Sequence, residues 1–161
     1  MFRITRRFEI SYSHRLWMTV SKEEHTQGGE EQKNNESTPC GGIHRCSRLH
    51  GHNGEIEVEL SGDIGDDEGW FCDFTELEHH VGGRLREWLD HRTLLFEDDP
   101  LVETLRAAGF GDAVVTLPAN PTCEMLARMI FEEVTRMGFP ATAVRFRETA
   151  RNIAEFRKEC Q

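Results

Sequence analysis

The sequence predicts an α+β domain in which helices pack on one face of a mainly antiparallel sheet. Two segments alternate apolar with polar residues, and two others repeat apolar residues at helical spacing. Along the chain the predicted order is strand, strand, helix, strand, helix, strand, which favours a four-stranded sheet with both helices on one side. The length of 161 residues suits one domain and is short for two, so residues 1–161 should share one core.

The first two strands are predicted from a period of two. Between Phe2 and His14 the apolar residues occupy even positions, and so do Ile56, Val58 and Leu60, with glutamates between them. Because successive side chains of a strand point to opposite faces, each strand should bury one face and expose the other.

Two amphipathic helices are predicted further along the chain. The first covers residues 75–89, although Gly82 and Gly83 each lower helix propensity by about 1 kcal/mol. The second follows Asn120, a suitable N-cap, and Pro121, a favourable first-turn residue, and it ends at Gly138. The residues predicted to face the core are Leu77, Val81, Leu85, Trp88 and Leu89 in the first helix and Leu126, Ile130, Val134 and Met137 in the second.

Shorter patterns describe the rest of the chain. Residues 114–117 and 143–148 indicate strands, and residues 153–157 indicate a continuation beyond a turn or bulge. Residues 18–39 are polar and without period, which predicts a long loop insertion between the first two strands.

Composition and charge disfavour several classes of function. The 19 Lys and Arg against 29 Asp and Glu give a net charge of −10, which opposes binding to the phosphates of nucleic acids. No apolar run approaches the roughly 18 residues of a membrane-spanning helix, and the first residues lack the apolar stretch of a secretory signal. We therefore expect a cytoplasmic protein with no membrane partner, in which five irregularly spaced cysteines form no disulfide framework.

Three histidines are predicted to converge at one end of the two long strands. His50 and His52 are two residues apart and share the face of Ile56, and His14 lies on the buried face at the end of the first strand. If the strands pair antiparallel, the three imidazoles meet and leave a fourth position open, as in a catalytic zinc site. The alternative to a metal site is that these are only partly buried histidines of the two strands, without a metal ion.

Cys46, Asp90 and His91 are candidates for proton transfer. A thiol four residues before His50 and close to arginines could be a nucleophile or general base, but also a small buried residue or a zinc ligand. The carboxylate of Asp90 could orient the His91 imidazole for acid and base catalysis. The alternative for this pair is a helix cap with a histidine that stabilises the helix dipole.

Two glutamates are candidates for ligand binding. Glu148 shares the core-facing parity of Val144 and Phe146, so its carboxylate should point inward and need a partner. A ligand with a donor pair, such as a 2-amino-pyrimidinone edge, and an arginine of this or a neighbouring chain are equally compatible. Glu124, in the first turn of the second helix, has an ordinary explanation in the helix dipole.

Six short segments of the chain carry a family resemblance. They are residues 13–16 (SHRL), 46–53 (CSRLHGHN), 69–77 (GWFCDFTEL), 89–91 (LDH), 121–124 (PTCE) and 148–149 (ET). In order and approximate spacing they resemble the family of 6-pyruvoyltetrahydropterin synthase and 6-carboxytetrahydropterin synthase. The resemblance covers nearly the whole chain apart from residues 18–39, and the combination is far more specific than a His-Gly-His motif alone.

The resemblance implies a fold, an assembly and a site. The fold would be the tunnelling fold (T-fold), an antiparallel sheet with two helices on one face that assembles into a barrel, usually a hexamer made of two trimers with active sites between subunits. The ligands of a Zn²⁺ ion would be His14, His50 and His52. The general base would be Cys46, with Asp90 and His91 completing the proton-transfer group. The pyrimidine edge of a pterin would be held by Glu148, with Thr122 and Glu124 as supporting contacts.

The substrate implied by the resemblance is 7,8-dihydroneopterin triphosphate. The carboxy branch releases acetaldehyde and triphosphate on the way to 7-deazapurines such as queuosine, whereas the pyruvoyl branch eliminates triphosphate. A cysteine four residues before His-Gly-His and the Gly-Trp-x-x-Asp-Phe segment resemble the carboxy branch, which is the expected activity. The alternatives are the pyruvoyl synthase and a pterin-binding or zinc-binding paralogue without turnover.

Three positions depart from the family pattern, and the residues that would bind the triphosphate are not identified by any motif. Gly54, Leu95 and Phe156 stand where the family usually has an aromatic residue, an asparagine and a tyrosine, which predicts an altered pocket shape. The candidates for triphosphate binding, by charge and proximity alone, are Arg15, Arg45 and Arg48.

Overall fold

The sheet is the framework of the protein, and helices cover one of its faces. The computed structural model describes residues 1–17, 44–65, 67 and 69–158, so the predicted insertion at 18–39 lies outside the described residues. The strands are β1 (Phe2–His14), β2 (His50–Gly62), β3 (Arg92–Phe96), β4 (Val114–Leu117), β5 (Ala141–Arg147) and β6 (Ile153–Arg157). The helices are α1 (Phe74–Leu77), α2 (Gly83–Trp88), α3 (Leu101–Ala107) and α4 (Cys123–Arg136).

The sheet has six strands in the order β4-β3-β1-β2-β5-β6, so the prediction of four antiparallel strands was wrong. β1 pairs antiparallel with β2 along its whole length, which places His14 opposite His50. β3 runs parallel to β1, and β4 runs parallel to β3. β3 is not recognisable from alternation because Leu94 and Leu95 are both fully buried, and a strand buried on both faces has no alternation.

The core lies on the even-numbered face of β1 and β2, as the period of two predicts. Side chains on that face are buried from Phe8 to His14 in β1 and from Ile56 to Leu60 in β2, whereas their odd-numbered neighbours are mostly half-buried or exposed. Each large apolar side chain buried in this way contributes about 1.5–3 kcal/mol to folding. The core includes Phe8, Ile10, Ile56, Val58 and Leu60 from the strands, with Leu77, Val81, Leu85, Leu126, Ile130 and Val134 from the helices.

The predicted helix at 75–89 is confirmed, with one irregular turn. α1 and α2 are joined by a π-helical turn, Glu78–Gly82. A Cβ atom at Gly82 would lie 3.0 Å from a ring carbon of Phe8 and 2.9 Å from a carboxylate oxygen of Glu78. Glycine is therefore what lets this helical segment approach β1 closely.

The second predicted helix is also confirmed, but its cap is different. The hydroxyl of Thr122, not the side chain of Asn120, accepts the N–H of Met125 at 3.3 Å and caps α4. The helix stops before Gly138, whose φ of +90° favours glycine. Among the described residues, no helix has the length and apolar character needed to cross a membrane.

The chain just beyond β1 is held by the side chain of Asn120 and by the turn before β2. Asn120 accepts the N–H of Trp17 at 2.7 Å and donates to its carbonyl at 2.9 Å. The N–H of Leu16 donates to the carbonyl of Cys46 at 2.7 Å. These contacts fix the points where the chain leaves β1 and returns towards β2.

Candidate metal centre and active site

Three imidazoles meet where β1 and β2 pair, at the position that the sequence predicts. The nitrogens that His14, His50 and His52 offer lie within 4.8 Å of one another, and Nε2 of His14 is 3.2 Å from Nε2 of His50. His14 is almost completely buried, with 2% of its surface exposed. The antiparallel register creates this cluster, because it puts His14 opposite His50 and leaves His52 two residues further along the same face.

Backbone carbonyls orient two of the three rings. Nδ1 of His14 lies 2.8 Å from the carbonyl of Pro121, and Nδ1 of His50 lies 2.7 Å from the carbonyl of Arg48. The proton is assigned to Nδ1 in both rings because a carbonyl can only accept, so each Nε2 presents a lone pair to the cluster. This is the usual arrangement around metal-ligating histidines.

The third ring supplies the test of whether the residues fit a metal ion. Nε2 of His52 is buried and makes no hydrogen bond within the described part of the chain. Burial is the largest influence on the pKa of both His14 and His52 and lowers it, which favours the neutral form that coordinates a cation. Three convergent imidazoles with one unpaired buried nitrogen fit a divalent ion of the zinc type.

Glu148 completes the polar group at this end of the sheet. It follows β5 directly, and its Oε1 lies 3.3 Å from Nε2 of His14 and 3.5 Å from Nε2 of His52. Its backbone N–H donates to the carbonyl of Asn152 at 3.1 Å. The inward direction predicted from parity is thus observed, and the neighbours of the carboxylate are imidazoles instead of an arginine.

Gly54 gives room to two aromatic rings beside the histidines. A Cβ atom at Gly54 would lie 3.1 Å from Cε1 of Tyr12 and 3.0 Å from Cζ of Phe146. The Tyr12 ring packs on Phe146, with centroids 5.7 Å apart, and on the rings of His14 and His52 at 5.3 and 5.8 Å. The space where the family usually has an aromatic residue at position 54 is therefore filled from β1 and β5.

Tyr12 is a neighbour of the histidine cluster that no motif in the sequence marks. By pattern it is one more apolar residue of the alternating strand, yet it shares the face of His14 and lies two residues before it. Its hydroxyl oxygen is buried and has no hydrogen-bond partner in the described ranges. Burial raises the pKa of this phenol well above its usual value, and the nearby Glu148 and Cys123 raise it further.

Cys46 lies at the same end of the β1–β2 pair. It sits in a 3₁₀ turn, Arg45–Ser47, just before β2, and its N–H donates to Nδ1 of His44 at 3.2 Å. Its carbonyl binds the N–H of Leu16, two residues beyond His14. The thiol is free and half-buried.

Asp90 and His91 form an acid–imidazole pair on the other side of the sheet. Oδ2 of Asp90 lies 3.0 Å from Nδ1 of His91, and Oδ1 accepts the N–H of Ser11 at 2.7 Å. His91 has a φ of +57° and donates its own N–H to the carbonyl of Ser11 at 2.6 Å. Burial alone would raise the pKa of Asp90, but the hydrogen bonds from Ser11 and His91 outweigh it and lower the pKa.

A cleft separates this pair from the metal-ligand candidates. It has a volume of about 480 Å³ and is lined by Ser11, Tyr12, Ser13, Gly51, His52, Asn53, His91 and Arg92. The strand residues Ser11, Ser13 and Asn53 belong to the odd-numbered face, whereas the three imidazoles lie on the even-numbered face. A single chain therefore does not bring the proton-transfer pair together with the histidine cluster on one face.

Comparison with known proteins decides the family. A model of the 6-pyruvoyl tetrahydropterin synthase family matches residues 3–159. The chain belongs to this family. Two solved structures share the fold of this family member: an uncharacterized protein from Wolinella succinogenes (TM-score 0.69, 23% identity, 98% of each chain) and 6-pyruvoyl tetrahydropterin synthase from Caenorhabditis elegans (TM-score 0.62, 22% identity, 98% and 96%). The expected T-fold is thus confirmed as a fold, and its assembly into a barrel stays a prediction.

Curated relatives of this family member carry both branch names. A probable 6-carboxy-5,6,7,8-tetrahydropterin synthase of Halobacterium salinarum is 44% identical over 98 residues, and the match spans 61% of each chain. The 6-carboxy-5,6,7,8-tetrahydropterin synthase of Aquifex aeolicus is 27% identical over 168 residues, which is 97% of this chain and 98% of that protein. A 6-pyruvoyl tetrahydrobiopterin synthase of Dictyostelium discoideum is 29% identical over 94 residues, 56% and 58% of the two chains.

The remaining predicted contacts of this pterin-synthase-family chain have local structural roles. Thr122 caps α4, and Glu124 is exposed in its first turn. Arg15 binds both carboxylate oxygens of the buried Asp99, with Nε 2.7 Å from Oδ2, so it is engaged within the fold. The roles of Thr122 and Glu124 in substrate binding stay predictions, and the other two arginine candidates are exposed beside Cys46.

Proposed function

We propose that this protein is a zinc-dependent 6-carboxy-5,6,7,8-tetrahydropterin synthase. It would convert 7,8-dihydroneopterin triphosphate and water to 6-carboxytetrahydropterin, acetaldehyde and triphosphate, for the synthesis of 7-deazapurines such as queuosine. The observation that carries the proposal is the cluster of His14, His50 and His52 with the Glu148 carboxylate against it. The names of the Halobacterium and Aquifex relatives favour the carboxy branch.

Each site residue has a task in this proposal. A zinc ion bound by the three histidines would polarise the side-chain oxygens of the substrate and acidify the neighbouring C–H and O–H bonds. Cys46 takes a proton from the substrate side chain, and Glu148 accepts the donor pair of the pyrimidine edge. Thr122 and Glu124 support the pterin from the start of α4.

The proton-transfer pair acts from a neighbouring subunit. Asp90 holds His91 on the odd-numbered face, opposite the histidine cluster of its own chain. A homo-oligomer, which we propose to be a hexamer of two trimers, would bring His91 of one subunit to the cluster of the next. Closed symmetric assemblies repeat such a shared site once for every subunit.

The second candidate is 6-pyruvoyltetrahydropterin synthase, which the Dictyostelium relative favours. It would use the same residues and differ in its product. A pterin-binding or zinc-binding protein without turnover is the third possibility, and it would need neither Cys46 nor the Asp90–His91 pair.

Product analysis separates these candidates. Zinc-loaded protein is mixed with 7,8-dihydroneopterin triphosphate without oxygen, and the products are identified by mass spectrometry. We expect 6-carboxytetrahydropterin and acetaldehyde. A 6-pyruvoyl product would assign the other branch, and unchanged substrate would refute both enzyme proposals.

Replacement of Cys46 tests its role as general base. We expect Cys46→Ala to lose turnover by about 10²–10⁴-fold with its zinc content unchanged, because a general base contributes that much to the rate. Cys72→Ala is the matched control, since Cys72 is also a free, half-buried thiol and lies outside the proposed machinery. Full activity in Cys46→Ala would contradict this assignment.

A further inference from the structure

The hydroxyl of Tyr12 is the most unusual polar group of the molecule. Only 4% of the Tyr12 surface is exposed, and the hydroxyl makes no hydrogen bond to any described residue. A buried hydroxyl without a partner lowers the stability of a folded protein, so such groups are rare unless a ligand satisfies them. The apolar ring alone would fill the space above Gly54 equally well.

The surroundings of the hydroxyl point to a ligand. The Tyr12 ring contacts the rings of His14 and His52, and the Glu148 carboxylate lies against the same two rings, 3.3 and 3.5 Å from their Nε2 atoms. The proposed metal ion would satisfy Nε2 of His52, so it leaves the Tyr12 hydroxyl as the buried group of this region without a partner among the described residues. An unsatisfied hydroxyl in the neighbourhood of a carboxylate indicates a place for a polar molecule.

We infer that the Tyr12 hydroxyl binds the heterocycle of the pterin substrate beside Glu148. This inference rests on the proposed function and adds a substrate-positioning residue to it. The donor pair of a 2-amino-pyrimidinone is flanked on each side by an acceptor, a carbonyl oxygen or a ring nitrogen. Glu148 takes the donor pair, and the Tyr12 hydroxyl donates to one flanking acceptor, so the two residues together fix the ring in its plane.

The glycine at position 54 is the structural condition for this contact. Any side chain there would press on Cε1 of Tyr12 and Cζ of Phe146, at 3.1 and 3.0 Å from its Cβ atom. An aromatic residue at 54 would displace the phenol from its present position. Gly54 therefore leaves the space beside it to the Tyr12 ring, which carries a hydrogen-bonding hydroxyl.

The test compares the protein with its Tyr12→Phe variant, which keeps the ring and removes the hydroxyl. The probe is neopterin, a pterin with the same side chain and no triphosphate, and its Kd is measured by fluorescence titration of the zinc-loaded protein. We expect the variant to bind neopterin about 10-fold more weakly, as for the loss of one hydrogen bond in a buried site. Its zinc affinity should stay unchanged, and its Tm without ligand should be equal or higher.

A spectroscopic signal separates binding from packing. Tyr12 is the only tyrosine of the chain, so protein labelled with ¹³Cζ-tyrosine gives one tyrosine carbon resonance. A hydroxyl that binds neopterin shifts this resonance on titration. The matched control is Phe2→Tyr, which adds a hydroxyl to an exposed ring at the opposite end of β1 from His14 and should leave the Kd for neopterin unchanged.

Each outcome decides the inference. Equal Kd values for the protein and Tyr12→Phe, or a tyrosine resonance that does not respond to neopterin, would show that Tyr12 only fills space. If the protein binds neopterin but does not turn over the triphosphate, the proposed activity fails while the Tyr12 comparison still stands. If the protein does not bind neopterin at all, both proposals are overturned.

Discussion

Oδ1 of Asp90 accepts the backbone N–H of Ser11 at 2.7 Å, and this bond ties an acid–imidazole pair to the outer face of β1. The same strand carries His14 on its other face. One strand thus supports the two parts of the proposed active site on opposite faces, and His52 and His91 both line the cleft between them.

Mixing two inactive variants tests whether the site is shared between subunits. His52→Ala lacks a metal ligand and His91→Ala lacks the proton-transfer imidazole, so each alone should be inactive. In oligomers reassembled from equal amounts, a site with an intact triad from one chain and an intact His91 from its neighbour forms in roughly a quarter of cases. We expect roughly a quarter of the normal activity after unfolding and refolding the mixture together. No recovery would contradict a shared site.

Loss of His52 should abolish tight metal binding. Its unpaired, buried Nε2 would be the third ligand of the proposed centre, and two imidazoles bind Zn²⁺ much more weakly than three. We expect added zinc to raise the Tm of the protein, because a ligand that binds only the folded state stabilises it, and not to raise that of His52→Ala. His79→Ala, at an exposed position of the π-helical turn, is the control. An equal zinc-induced Tm shift in both variants would contradict the proposed centre.

The ion pair of Arg15 and Asp99 should make stability depend on pH in the acid range. The Asp99 side chain is fully buried; burial alone would raise its pKa, but the hydrogen bonds from Arg15 and the N–H of Leu101 outweigh it and lower the pKa. The resulting stability is complete above the unfolded-state pKa and is lost as the pH falls through the lower folded-state value.

Asp99→Asn tests this pair. We expect the variant to lose about 3 kcal/mol in the free energy of unfolding at pH 7, because it leaves the Arg15 guanidinium without its charged partner. The difference should shrink below about pH 4. Urea unfolding at several pH values measures both effects, with the exposed Asp98→Asn as control. A pH-independent difference would refute the electrostatic explanation.

Gly54→Ala should destabilise the protein by about 1–3 kcal/mol, since the methyl group would press on Tyr12 and Phe146. Gly83→Ala is the matched control, because it lies in α2 with helical dihedral angles and no neighbour within 4 Å of its Cβ position. That change should leave stability equal or raise it by up to about 1 kcal/mol. Thermal and urea unfolding of both variants measure the contrast, and equal destabilisation would refute the packing argument.

The histidine cluster could be predicted because it depends on strand parity alone. Once β1 and β2 alternate and pair antiparallel, the faces of His14, His50 and His52 follow without further information. The inward direction of Glu148 followed from parity too, but its contacts with the histidines depend on how β5 is placed beside β2, and the sequence does not state that register.

Other features depend on contacts between distant segments. Asn120 and Thr122 are both good N-caps by residue type, and only the backbone of Trp17, which binds Asn120, decides between them. β3 was difficult for a different reason, because its two consecutive buried residues, Leu94 and Leu95, remove the alternation by which a strand is recognised. The sequence predicts β4 as a strand but does not predict β3, its parallel partner. The predicted sheet therefore has fewer strands than the observed one.

Two sets of hydrogen bonds, from Leu16 to Cys46 and between Asn120 and Trp17, bear on how this protein tolerates sequence change. They fix the end of β1 and the turn before β2, on the two sides of residues 18–43, through residues outside that stretch. Because none of these contacts involves residues 18–43, we expect sequence changes in that stretch to leave both attachment points, and with them the geometry of the histidine cluster, unaltered.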